Sequence, residues 1–191
     1  MLDSNQLYIV VDIEADGPVP GLYSMLSLGA VATTPDQELS SFYRTLLPNP
    51  ESSTDPDTME WWKRQPDAWQ EVTTNAKDPA EVMTDFYNWI DGLDKEPVFV
   101  ANPVALDYTF VTWYLQKFVG KNPFRDDKNV NRALDLRSFV AGKYNLTLNQ
   151  ARRINLPDEL TAGMPEHTHN AMEDAQGYAI MLRNIFKYQA R

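Results

Sequence analysis

The run LYIVVDI, residues 7–13, constrains this chain more than any other stretch. β-Branched and aromatic residues without polar breaks read as a strand buried on both faces. Other structure must then cover it from either side. Yet the run ends in two carboxylates, Asp12 and Glu14, at i and i+2. Residues two apart in a strand project from one face. Two like charges held together at a buried strand end repel each other and resist leaving water. A hard divalent cation such as Mg²⁺ would relieve both penalties, because it binds carboxylate oxygens while keeping several waters. The start of a polar loop is the plainer account of the same two residues.

After the turn-rich segment EADGPVPGLYS come two more strand-like runs, MLSLGAVAT at 25–33 and SSFYRTLL at 40–47, joined by TPDQE. Three such runs in succession read as an antiparallel meander. Asp55-Pro56 then opens a short helix through Met59, Trp61 and Trp62, and Pro66 starts another. Asp78 caps PAEVMTDFYNWIDGL, whose Val82, Phe86, Trp89 and Ile90 share a face and whose end fits Gly92. PVFVA at 97–101 is a fourth strand, and ALDL at 133–136 a fifth. Between them Asp107 to Val119 reads as a helix with Phe110, Val111, Tyr114, Leu115 and Phe118 on one side. A last helix runs from Asn170 to about Lys187 along the stripe Ala175, Ala179, Leu182, Ile185 and Phe186. The pattern is of the α/β class: a five-stranded mixed sheet, antiparallel meander first, flanked by helices. No repeat or long linker divides it, so residues 1–191 are expected to form a single domain.

Composition narrows the partners. With 43% hydrophobic and 23% charged residues the chain can build a core, which excludes disorder. The absence of cysteine excludes disulfides, thiolate zinc sites and a thiol nucleophile. No apolar run is long enough to span a bilayer, and MLDSNQLYIVVDIE lacks the features of a signal peptide, so a cytoplasmic protein without membrane partners is expected. The net charge of −10 is unevenly spread. Residues 1–116 carry 5 basic and 19 acidic side chains, residues 117–153 carry 9 and 3, and residues 154–191 carry 3 and 5. A basic stretch inside an acidic chain suits either a phosphate path or a solvated face.

Three further acidic and imidazole positions matter. Asp107 follows PVFVA after the turn NPVAL and opens a helix, where the dipole favours a carboxylate in any case. His169 precedes a capping box, Asn170-Ala171-Met172-Glu173, in which Asn170 can cap and Glu173 can reach back. Asp174 lies in the first turn of that helix, five positions after His169, so the two can point into one space. A general base near neutral pH beside a metal-bound carboxylate is the chemistry this offers. His167, seven residues before Asp174, lacks a comparable spacing and reads as part of a polar loop.

Asp12-x-Glu14, Asp107 and His169-x₄-Asp174 resemble the three motifs of the DEDDh, or DnaQ-like, 3′–5′ exonucleases, the ribonuclease T and proofreading-subunit type. VVDIEADG, SLGAVA, LDYTFV, LDLRSF and HNAMEDAQGYA agree with it, so the likeness covers roughly residues 7 to 187. TMEWWKRQPDAW also resembles a Trp-bearing helix of small exoribonucleases and phage exonucleases. One departure stands out: where the family usually has Asn, four residues before the second-motif Asp, this chain has Pro103, with Asn102 one residue earlier.

The resemblance implies a ribonuclease H-like fold and hydrolysis of single-stranded RNA or DNA from 3′ ends to nucleoside 5′-monophosphates, using two divalent ions, Mg²⁺ or Mn²⁺. It implies Asp12 as the bridging ligand, Glu14 and Asp174 on the first ion, Asp107 on the second mainly through water, and His169 as general base. Glu14 is thereby both ligand and catalytic residue. Base stacking with little sequence preference would fall to Trp61, Trp62 or Phe110, with Met25 as a wedge. Lys143, Arg152 and Arg153 would guide the strand. Some relatives pair as homodimers. A non-catalytic nucleic-acid or partner-binding module on the same fold, and a phosphodiesterase for very short oligonucleotides, are the competing readings.

Overall fold

A computed structural model of the chain describes residues 6–93, 95–126, 128 and 130–188. Its sheet has five strands: β1 (Leu7–Ala15), β2 (Met25–Thr33), β3 (Glu38–Thr45), β4 (Pro97–Ala101) and β5 (Ala133–Asp135). The order is β3-β2-β1-β4-β5. β1–β2 and β2–β3 pair antiparallel, whereas β4 joins β1, and β5 joins β4, in parallel. The expected meander and mixed sheet are both present, with the carboxylate-bearing strand at the centre.

Seven helices accompany the sheet among the described residues: α1 (Pro56–Trp62), α2 (Pro66–Thr73), α3 (Pro79–Asp91), α4 (Val104–Phe118), α5 (Leu136–Tyr144), α6 (Asp158–Thr161) and α7 (Ala171–Lys187). A short 3-10 turn spans Arg153–Asn155. α3 is capped by Asp78, which accepts from Ala80 N–H at 2.8 Å. α4 starts three residues before the expected Asp107, because its first N–H, on Val104, is satisfied by Asp135 Oδ2 at 2.8 Å. Pro103 stands at the N-cap, after a cis Asn102–Pro103 bond. The ALDL run is strand only to Asp135, whose other oxygen accepts from Ser138 N–H and caps α5, a helix the hydrophobic pattern does not announce. It buries only Leu136, Val140 and Ala141.

The sheet is covered on both sides, as its central strand demands. Leu7, Ile9, Val11 and Ile13 pack with Phe86, Phe110 and Tyr114 from α3 and α4. Tyr8 and Val10, on the opposite face, pack with Val140 of α5 and with Ala175, Leu182 and Ile185 of α7. Strand alternation puts Asp12 and Glu14 on this second face, beneath α7. The fit there is close. Gly29 is the register partner of Asp12, and a Cβ at position 29 would lie 2.2 Å from the Ala171 carbonyl oxygen. The N-terminus of α7 therefore rests directly on the backbone of β2.

Candidate active site

Three elements converge at the C-terminal end of β1. The strand supplies Asp12 and Glu14, just before a register shift between Glu14 and Ala15. The first turn of α4 supplies Asp107, which is buried and accepts from Ile13 N–H through Oδ1 at 3.0 Å. The first turn of α7 supplies Asp174, only 1% exposed. Asp12, Glu14 and Asp174 each offer one oxygen, and these lie within 4.8 Å of one another. Side chains more than ninety residues apart thus meet at one strand end.

The electrostatics are severe. Burial, then Asp107, Glu14 and Asp174, hold the Asp12 carboxyl well above its usual range. Burial, Asp174 and Asp107 push Glu14 up to about 9. Burial pushes Asp107 up to about 7 against the opposing Ile13 hydrogen bond. Among the described residues no Lys or Arg forms an ion pair with any of the four. Asp174 Oδ2 is buried without a hydrogen-bond partner. Such a group is costly unless a ligand completes it. The donors are carboxylate oxygens, the set preferred by Mg²⁺ and Mn²⁺. The residues fit a divalent centre.

The two imidazoles arrange themselves differently from the spacing argument. His167, not His169, is hydrogen-bonded to Asp174, with Nδ1 at 2.7 Å from Oδ1. His169 has φ 58°, in the left-handed region, so the chain turns sharply before α7 and places His167 beside the helix's first turn. The His169 ring lies 4.3 Å from that of His167 and 4.7 Å, edge-on, from Trp61. Burial and the neighbouring His167 lower its pKa, against the opposing charge of Asp174. Asn170 caps α7 through Met172 and Glu173 N–H, as expected. Glu173 does not reach back to close the box but accepts from the Thr168 hydroxyl.

The expected base contacts need correction. Met25, Trp62 and Phe110 are all buried and offer no open face. Met25 starts β2 with its N–H on the Tyr114 hydroxyl, and Trp62 donates its indole N–H to the Ala15 carbonyl while packing with Leu26 and Val72. Phe110 belongs to the main core. Trp61 keeps partial exposure beside His169. Lys143 is also displaced, because its ammonium donates to the Ile185 carbonyl near the far end of α7. Fourteen residues separate Ile185 from Ala171, roughly 21 Å along the helix.

Tyr178 escapes the motif reading, although it stands four residues beyond Asp174, one turn along the same helix face. Its hydroxyl reaches the Asn102 side chain, and burial and the Asp12 charge push its pKa up to about 12. Asn102 is thus engaged at the site despite its shifted position. Arg153 donates to the Pro165 carbonyl and ties down the loop that carries both histidines.

Known proteins resemble this chain in sequence and in fold. The Rv2179c-like family, described as a 3′–5′ exoribonuclease domain, matches residues 7–186. The Escherichia coli 3′–5′ DNA exonuclease Cap18 is 30% identical over 196 residues, covering 98% of this chain and 95% of that protein. The nuclease domain of 3′hExo, a DEDDh family member solved with rAMP, aligns at TM-score 0.73 and 10% identity over 97% of this chain and 94% of its own. Escherichia coli exonuclease I, solved with an oligonucleotide, gives 0.69 and 16% over 97% of this chain and 41% of its own. The fold is ribonuclease H-like, as in those nucleases.

Proposed function

The chain belongs to the Rv2179c-like family of 3′–5′ exoribonuclease domains and is a 3′–5′ exonuclease, and from that premise we propose that it hydrolyses single-stranded RNA or DNA to nucleoside 5′-monophosphates with two divalent cations, Mg²⁺ or Mn²⁺. The observation that carries the proposal is the cluster of Asp12, Glu14 and the buried Asp174, whose oxygens lie within 4.8 Å of one another. Asp12, Glu14 and Asp174 would hold one ion, and Asp12 with Asp107 the second. Bound there, the ions would supply charge stabilisation to the attacking and leaving oxygens of an in-line displacement. The protein's own groups do the rest. The Ile13 N–H fixes the Asp107 carboxylate. His169 accepts the proton of the attacking water, and the lowering of its pKa by burial favours the unprotonated ring that this step needs. Trp61 backs the His169 ring and offers a partly exposed face to a terminal base.

The family is described by RNA and the Escherichia coli relative by DNA, so the sugar is the variable the assay must carry. Matched 5′-labelled RNA and DNA 12-mers, with dinucleotides alongside, are incubated with Mg²⁺ or Mn²⁺. A ladder shortening one nucleotide at a time from the 3′ end, with 5′-monophosphates released, is expected. No shortening of any strand with either ion would overturn the reading and leave a binding module. Cleavage of dinucleotides alone would move it to short-oligonucleotide hydrolysis.

A further inference from the structure

A cavity of about 390 Å³, lined by Arg152, Arg153, Ile154, Glu166, His167 and Tyr178, adjoins the carboxylate cluster. Two of its walls belong to the site: His167 is bonded to Asp174, and Tyr178 follows Asp174 by one turn of α7. Arg152 and Arg153 close the basic stretch of the sequence. Arg153 is committed to the Pro165 carbonyl. Arg152 is not. It is exposed, and its guanidinium makes no hydrogen bond or ion pair among the described residues. Next to it Ile154 is 77% exposed, the most open of the large apolar side chains. Two arginines against one Glu166 leave the cavity lining at +1, beside a cluster that is otherwise acidic.

A free guanidinium fork matches the oxygens of a phosphate. An open aliphatic side chain matches the apolar face of a base or sugar. A nucleotide presents both, and the two side chains line one cavity. We propose that the cavity is the subsite for the nucleotide preceding the 3′-terminal one, with Arg152 holding the phosphodiester on its 5′ side and Ile154 packing on its base or sugar. The inference rests on the exonuclease reading and names which part of the strand this chain grips beyond the scissile bond.

A dinucleotide contains the base of that subsite but not its 5′ phosphodiester, so chain length separates the two residues. Arg152→Ala should raise KM about 10-fold on trinucleotides and 12-mers, with kcat nearly parental. It should leave the dinucleotide KM unchanged. Removing one phosphate contact should also lower the slope of log(kcat/KM) against log[KCl] by about 0.7. Arg152→Lys should restore the slope, and Ile154→Ala should raise KM on all three lengths by a few-fold. An equal Arg152→Ala penalty on every length, or an unchanged salt slope, would overturn the subsite. Absence of hydrolysis by the parental enzyme would instead overturn the exonuclease reading. In that case fluorescence anisotropy of a labelled 12-mer in EDTA still tests Arg152, since the subsite predicts the same loss of affinity and slope.

Discussion

The two faces of β1 obey opposite rules. One face, Leu7, Ile9, Val11 and Ile13, is apolar to its end and packs against α3 and α4. The other begins the same way with Tyr8 and Val10 and then turns acidic at Asp12 and Glu14 under α7. The first face contributes stability by burial. The second gives stability away, because carboxylates packed this closely favour the protonated state or a bound cation. One strand therefore carries both the support of the fold and the chemistry, separated only by the alternation of its side chains.

Substitutions on the two faces should separate these roles most strongly. Asp12→Asn should bring turnover below detection and abolish tight Mn²⁺ binding by calorimetry. By relieving repulsion it should also raise the melting temperature in EDTA, by about 2–4 °C per kcal/mol regained. Ile9→Ala should do the reverse, costing about 2–5 kcal/mol in urea unfolding while the folded fraction keeps its kcat. If Asp12→Asn were less stable than the parent, the cost assigned to the acidic face would be wrong.

A subtler contrast concerns the imidazoles above that face. His169→Ala should cut turnover by on the order of 10²–10⁴ with fold and metal affinity retained. His167→Ala should cost less, because the proposed mechanism draws the water's proton to His169 and leaves His167 bonded to Asp174. Parental rates from His169→Ala, or a larger loss from His167→Ala, would transfer the base role to His167.

The smallest effect is one of pH. Glu14 moves from 4.5 to about 9 and Asp107 from 3.8 to about 7 in the folded chain. Folded carboxyls with raised pKa values keep protons that the unfolded chain has already lost. Their contribution is complete below about pH 4 and is lost as pH rises through about 7 and then about 9. The melting temperature in EDTA should therefore fall between pH 5 and 9, and the increase produced by Mn²⁺ should grow over the same range. A cation effect independent of pH would show that the carboxylates are not its source.

The sequence made the acidic face legible because its logic is local. A D-x-E at a strand end shares one face whatever surrounds it, and an acid in a helix's first turn stays near that helix's start. Those constraints survive the three-residue error in where α4 begins. What failed depended on distant packing. Periodicity shows that Met25, Trp62 and Phe110 can lie on apolar faces, but not that β2, α1 and α4 close over them. The hydrogen bond of His167 depends on a left-handed residue at 169, a conformation uncommon outside glycine. Lys143 is near Asp174 only in a count of residues, since α7 carries its partner Ile185 to the other end of the molecule. α5 was hidden because Asp135 ends a strand and caps a helix at once.

The contact at Gly29 has a last consequence. Where α7 meets β2, a single hydrogen atom serves as the spacer between two layers of the protein. Any heavier substituent would act as a shim, lifting the helix and carrying Asp174 away from Asp12 without altering either of them. The width of the carboxylate cluster is thus machined by a residue that has no functional group at all.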